Sequence, residues 1–146
     1  MAPSTASQFG PEFPPNCPPP SATSANATVY RLVHRQPPDA TDFQTHAELG
    51  LAPRANPCDR CGLSVYADPT DAVAKYQEVV NRFGREGTKI GRLVARLLLT
   101  PIHGQLLATP NQRVHDSHHT WWPYSGADRL SSFDQIVEDA SHALGT

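Results

Sequence analysis

Asp68-Pro69-Thr70-Asp71-Ala72-Val73-Ala74-Lys75-Tyr76-Gln77-Glu78-Val79-Val80-Asn81-Arg82-Phe83-Gly84 is the stretch on which the fold turns. The Asp68 carboxylate can accept from the free N–H groups of a helix start, Pro69 fits the first helical position, and Asp71 adds negative charge to the first turn. Val73, Tyr76, Val79, Val80 and Phe83 then recur at helical spacing and form one apolar stripe, which Gly84 ends. The stripe predicts a helix with one face in a core, and it assigns Tyr76 to packing rather than to chemistry.

Strand patterns surround this helix. Lys89 to Leu99 reads as a strand with Leu93, Ala95, Leu97 and Leu99 on one face and Arg92, Val94, Arg96 and Leu98 on the other. Pro101 to Gly104 can turn the chain back into a short partner strand at Gln105 to Ala108. Upstream, Gly62 to Tyr66 is a second strand. Val29 to Val33 is another, closed by Gln36-Pro37-Pro38, and Arg31 shares its face with Val29 and Val33. Asp39 or Thr41 can cap a short helix reaching about Leu49, with Gly50 as its stop, and Leu51 to Arg60 reads as a loop. Ser132 with Gln135 three positions on predicts a capping box that opens a helix to about Ala143. Strands and short helices interleave without the long regular crossovers of a doubly wound sheet. The expected fold is therefore α+β: one compact domain with a small mixed or mainly antiparallel sheet and two or three short helices. The sequence carries no internal repeat.

The chain has 146 residues, enough for one domain and one core. Met1 to Thr28 holds seven of the fifteen prolines, one acid (Glu12) and no Lys or Arg. Such a composition buries too little apolar surface to offset the entropy of ordering it, which predicts a disordered or polyproline-II leader over 1–28 and a folded domain over 29–146. The net charge of −2 becomes −1 without the leader (12 basic minus 13 acidic residues), so general nucleic-acid binding is not expected. The run Arg82, Arg85, Lys89, Arg92, Arg96 reads as a solvated face. The apolar run Leu97-Leu98-Leu99 is too short for a membrane. The first residues show no secretion signal, three cysteines do not suggest a disulfide framework, and the cytoplasm is the expected location.

His115-Asp116-Ser117-His118-His119-Thr120-Trp121-Trp122-Pro123 is the chemically densest stretch. Two adjacent indoles must be buried, line a pocket or meet a partner, and the histidines beside them can bind metal, move protons or donate hydrogen bonds near neutral pH. Asn111, Gln112, Arg113 and Thr109 add donors and acceptors, a set suited to holding a base or a nicotinamide. An aromatic corner with satisfied histidines is the structural alternative. Cys58-Asp59-Arg60-Cys61 has the spacing of half a zinc site, but two ordinary thiols are the favoured reading and zinc is not expected. No phosphate-binding glycine loop or nucleophile elbow is present, and spacing alone picks out no Ser-His-Asp set.

Tyr30-Arg31 followed by Pro37-Pro38-Asp39-Ala40-Thr41-Asp42-Phe43, then Gly62-Leu63-Ser64-Val65-Tyr66, then His118-His119-Thr120-Trp121-Trp122-Pro123 resembles the layout of a group of small bacterial proteins, mostly without assigned activity. That resemblance covers about Tyr30 to Leu130 and implies a bacterial origin and one small domain. The chain also resembles, more distantly, the ADP-ribosyltransferase-like fold, with Arg31 at the early strand position and Ser64 at the next. That resemblance implies that Arg31 helps hold NAD and that a late glutamate orients the ribose. Glu138 is the last glutamate, but it falls in a predicted helix and misses the family's acid spacing by one residue.

These readings combine into an expected small bacterial domain that binds a nucleotide-like ligand such as NAD, with toxin-type ADP-ribosyltransferase chemistry as its active version. Arg31, Ser64, Tyr66, Trp121 and Trp122 would bind the cofactor; His118, His119 and Glu138 would be catalytic. Two alternatives stay open: a non-catalytic protein-interaction domain of immunity or antitoxin type, anchored by the Trp pair, and a zinc-stabilised module on Cys58 and Cys61.

Overall fold

In a computed structural model of the chain, residues 8–110 and 115–143 are described. The elements run in order as β1 (Thr23–Ser24), β2 (Ala27–Val33), α1 (His46–Leu49), α2 (Pro57–Arg60), β3 (Leu63–Tyr66), α3 (Pro69–Gly87), β4 (Leu93–Leu99), β5 (Gly104–Ala108), β6 (His118–Pro123), β7 (Phe133–Asp139) and α4 (Ala140–Ala143). The strands form one seven-stranded sheet in the order β1-β5-β6-β3-β2-β4-β7, and every neighbouring pair is antiparallel. The α+β class and the mainly antiparallel sheet expected from the sequence are what the structure has.

The two sheet faces follow from alternation. Val29, Val33, Leu63, Val65, Leu93, Ala95, Leu97, Leu99 and Trp121 point to one face and form the main core with Phe43. On the other face α3 lays Ala72, Val73 and Tyr76 over Tyr66 and Val94, with Tyr30, Leu32 and Val80 at the margin. Asp68 caps α3 through the Thr70 N–H, and Gly84 leaves helical geometry at φ 74°, a conformation a side chain would resist. Phe83, expected on the buried stripe, is 58% exposed. It lies one residue before the break at Gly84, with the Arg82 guanidinium over its ring.

Three expectations are corrected. From Gln8 onward the proline-rich segment packs on the domain instead of trailing from it. Phe9 is 7% exposed and joins Cys61 and Trp122 in a third apolar cluster, with Phe13, Cys17 and Tyr124 at its margin. Cys17 is disulfide-bonded to Cys58, and Thr23–Ser24 adds an edge strand to β5. Composition averages over the segment, whereas two phenylalanines and one cysteine suffice to anchor it. Second, Phe133–Asp139 is a strand, not the start of a helix. The capping-box spacing is a local signal, and the open edge of β4 outcompetes it by pairing with β7 through two register shifts. Third, β5 does not pair with β4; it crosses the sheet to lie between β1 and β6. Smaller adjustments follow the caps: Asp39 caps a 3-10 turn (Ala40–Phe43), Thr45 caps α1, and Asn56 with Pro57 makes α2 inside the expected loop.

Candidate functional site

A polar cleft lies where α1 and α2 meet the paired strands β3 and β6. β3 and β6 pair with Ser64 opposite Thr120 and Tyr66 opposite His118, so these four side chains share one face. A Cβ on Gly62 would lie 2.3 Å from the Thr120 methyl, so the bare backbone there lets Thr120 sit against β3. The result is a cleft of about 260 Å³ lined by His46, Asp59, Arg60, Ser64, Thr109, His118 and Thr120, among others.

His118 is the hub of this cleft. It is 7% exposed, and its Nδ1 lies 3.1 Å from the Thr109 carbonyl oxygen and 2.9 Å from Thr109 Oγ1. A carbonyl can only accept, so Nδ1 carries the proton and Nε2 bears the lone pair. Nε2 is 3.0 Å from Ser64 Oγ, and the serine hydroxyl donates to it. Thr109 Oγ1 in turn lies 2.9 Å from Thr120 Oγ1, and the Tyr66 ring packs edge-on at 5.4 Å. Burial holds the His118 pKa below the ordinary histidine value, aided by neighbouring His119 and Lys75, so the ring is neutral at physiological pH. Ser64 itself is exposed at the mouth.

The wall opposite comes from α1 and α2. Asn56 caps α2 by accepting from the Cys58 and Asp59 N–H groups, and Arg60 is steadied by donation from its Nε to the Leu51 carbonyl. His46 has its pKa lowered by burial first and then by the positive charges of Arg31 and Arg60. The cleft thus combines one cation, one carboxylate, two neutral imidazoles and three hydroxyls.

The other expected site residues are placed as follows. Arg31 lies beside Ser64 but is spent on the backbone: Nε donates to the Asp42 carbonyl and one terminal nitrogen to the Ser64 carbonyl. Burial lowers its pKa to about 10, partly offset by Asp42, and it stays charged. Tyr66 is 3% exposed beneath α3, with its hydroxyl pushed up to about 12, chiefly by burial. His119 points to the opposite face, with Nδ1 on the Ser117 carbonyl at 2.8 Å. Trp121 and Trp122 are 0% and 1% exposed on opposite faces, and their indole N–H groups donate to the carbonyls of His103 and Cys58. Neither ring offers a stacking surface. Glu138 is exposed on β7, three strands from β3, and does not reach the cleft. Asn111, Gln112 and Arg113 lie outside the described residues. Cys58 is bonded to Cys17, so it cannot share a metal with Cys61 as a thiolate pair.

Sequence reasoning missed His46, Asp59 and Arg60 as site residues. Asp59 and Arg60 stood in view between two cysteines that drew attention as metal ligands, and no spacing rule links either to β6. Comparison with protein-family models, curated proteins and solved structures finds no match to this chain.

Proposed function

We propose that this protein binds a small anionic ligand of nucleotide type in the cleft between α2 and the β3–β6 pair. The observation that carries the reading is the convergence of Arg60, His46, His118 and the Ser64, Thr109 and Thr120 hydroxyls on one concavity. The Arg60 guanidinium with the His46 imidazole and the hydroxyls beside it suits phosphate or carboxylate oxygens, the Asp59 carboxylate in the same lining suits a hydroxyl or amine of the carrier, and the small polar volume suits one such group with part of that carrier. Binding rather than ADP-ribosyl transfer is the form of the reading we adopt, because Glu138 lies three strands away and Arg31 is committed to carbonyls. The protein-interaction alternative loses its anchor, since both indoles are buried. Among the described residues no helix is long and apolar enough to cross a membrane. The Cys17–Cys58 disulfide favours an oxidising compartment over the cytoplasm.

The test is thermal unfolding with NAD, ADP, ATP or inorganic phosphate. A ligand at one hundred times its Kd stabilises by about 2.7 kcal/mol, which corresponds to about 5–10 °C in a chain of this size. Arg60→Ala and His118→Gln should each remove the shift while staying folded. Absence of a shift with all four ligands would end the reading.

A further inference from the structure

We infer that Ser64 is a nucleophile activated by His118, and that the cleft carries out acyl transfer from a small ester to water. The inference uses the same cleft as the binding reading and rests on it only for where a substrate sits. Its own support is a different observation: an exposed hydroxyl on a rigid strand, 3.0 Å from the lone-pair nitrogen of a buried imidazole whose other nitrogen is held by a carbonyl. A serine hydroxyl is a weak nucleophile until a positioned base takes its proton, and the base needs a third group to hold its ring and tautomer. Here the Thr109 carbonyl and hydroxyl do what a carboxylate does in other such sets. A carbonyl fixes the tautomer and turns the ring, but brings no negative charge to stabilise the imidazolium that forms. Activity should therefore be modest.

The chemistry balances with water as the only co-reactant. Ser64 Oγ attacks the acyl carbon as its proton passes to His118 Nε2. The bond between the acyl carbon and the leaving oxygen breaks, and Nε2 returns the proton to that oxygen. Water then attacks the acyl-serine, gives a proton to Nε2, and the proton passes back to Ser64 Oγ. The net change is ester plus water to acid plus alcohol. Arg60 and His46 line the same cleft as Ser64, and through them the cleft would offer positive charge and an N–H to the acyl oxygen as it becomes anionic. The cleft of about 260 Å³ has room for a short acyl group. The low pKa of His118 keeps Nε2 free to accept a proton at neutral pH.

The test is covalent labelling of the full oxidised chain with a small alkyl fluorophosphonate, followed by peptide mapping. The expected result is one adduct per chain on Ser64, absent in Ser64→Ala. In His118→Gln the labelling rate should fall about 100-fold or more, the size of a lost general base, with the thermal midpoint measured alongside to show that the variant is folded. p-Nitrophenyl acetate should give a burst of one p-nitrophenol per chain. Label spread over several residues, or Ser64 labelling unchanged in a folded His118→Gln variant, would overturn the proposal. So would no label above the Ser64→Ala level. If His118→Gln does not fold, Thr109→Val takes its place: loss of the hydroxyl that helps hold the ring should slow labelling several-fold, and an unchanged rate refutes the dyad. Nucleotide-induced stabilisation is read separately, so binding can survive the loss of this proposal and labelling can survive the loss of the binding reading.

Discussion

Cutting the Cys17–Cys58 bond tests whether the proline-rich segment belongs to the fold. The bond closes a loop of sequence separation 41. In the chain-entropy picture the unfolded state regains about 13 cal/mol/K when it is removed, or about 4 kcal/mol at 25 °C. At about 2–4 °C per kcal/mol in a chain of this size, Cys17→Ser should melt about 8–16 °C below the oxidised wild type. Loss of the segment's hold adds to this, because Phe9 and Trp122, at 7% and 1% exposure, cover one another only while residues 8–17 stay docked. The assay is a thermal scan of oxidised wild type, wild type in a dithiol reductant, and Cys17→Ser. Alkylation after unfolding without reductant supports it: one free thiol, Cys61, should react in wild type and two in the variant. Burial pushes the Cys61 thiol up to about 11, which is why alkylation must follow unfolding. Three free thiols in the wild type, or midpoints within about 2 °C of one another, would refute the reasoning and return the segment to the unfolded leader that its composition predicts.

Gly91→Ala should destabilise by about 3 kcal/mol, since the new Cβ would sit 2.1 Å from the Val33 carbonyl carbon and oxygen, and strand backbone cannot step aside cheaply; an unchanged urea midpoint would show that β2 and β4 are not so close there. Stability should also fall on acidification from pH 7.5 to 5.5. His46, His103 and His118 are all held below the ordinary histidine value, chiefly by burial, so the unfolded chain takes up protons near pH 6.5 that the folded chain refuses. Their contribution is complete above that pH and is lost progressively as pH falls from there through the lower folded values. Urea midpoints across this range should slope downward, with a shallower slope in His118→Gln, and a flat wild-type profile would contradict the burial of these rings.

Local sequence determined the elements whose signals are local. Asp68, Pro69 and the stripe through Val80 specify α3 because a cap, a fixed φ and a 3.6-residue period all act within a few turns. Alternation in Leu93 to Leu99 assigns each side chain to a face before any partner is known. The class of fold follows from that order of elements. Tertiary structure alone decided the rest. Phe133 to Asp139 became a strand because β4 offered unpaired N–H and C=O groups, and a ladder of five residue pairs outweighs one capping box. Phe9 and Cys17 anchored a segment whose average composition argues against order, because burial rewards individual residues and not averages. Ser64 met His118, 54 positions away, only because β6 pairs with β3 in one register; a slip of one residue would send His118 to the opposite face. The sequence placed chemistry in the His118–Trp122 stretch, but which of its residues face the cleft is set by strand parity and by what covers each side of the sheet. That parity turned His118 toward Ser64, buried the two indoles in separate clusters, and left Arg31 holding carbonyls that no sequence pattern could reveal.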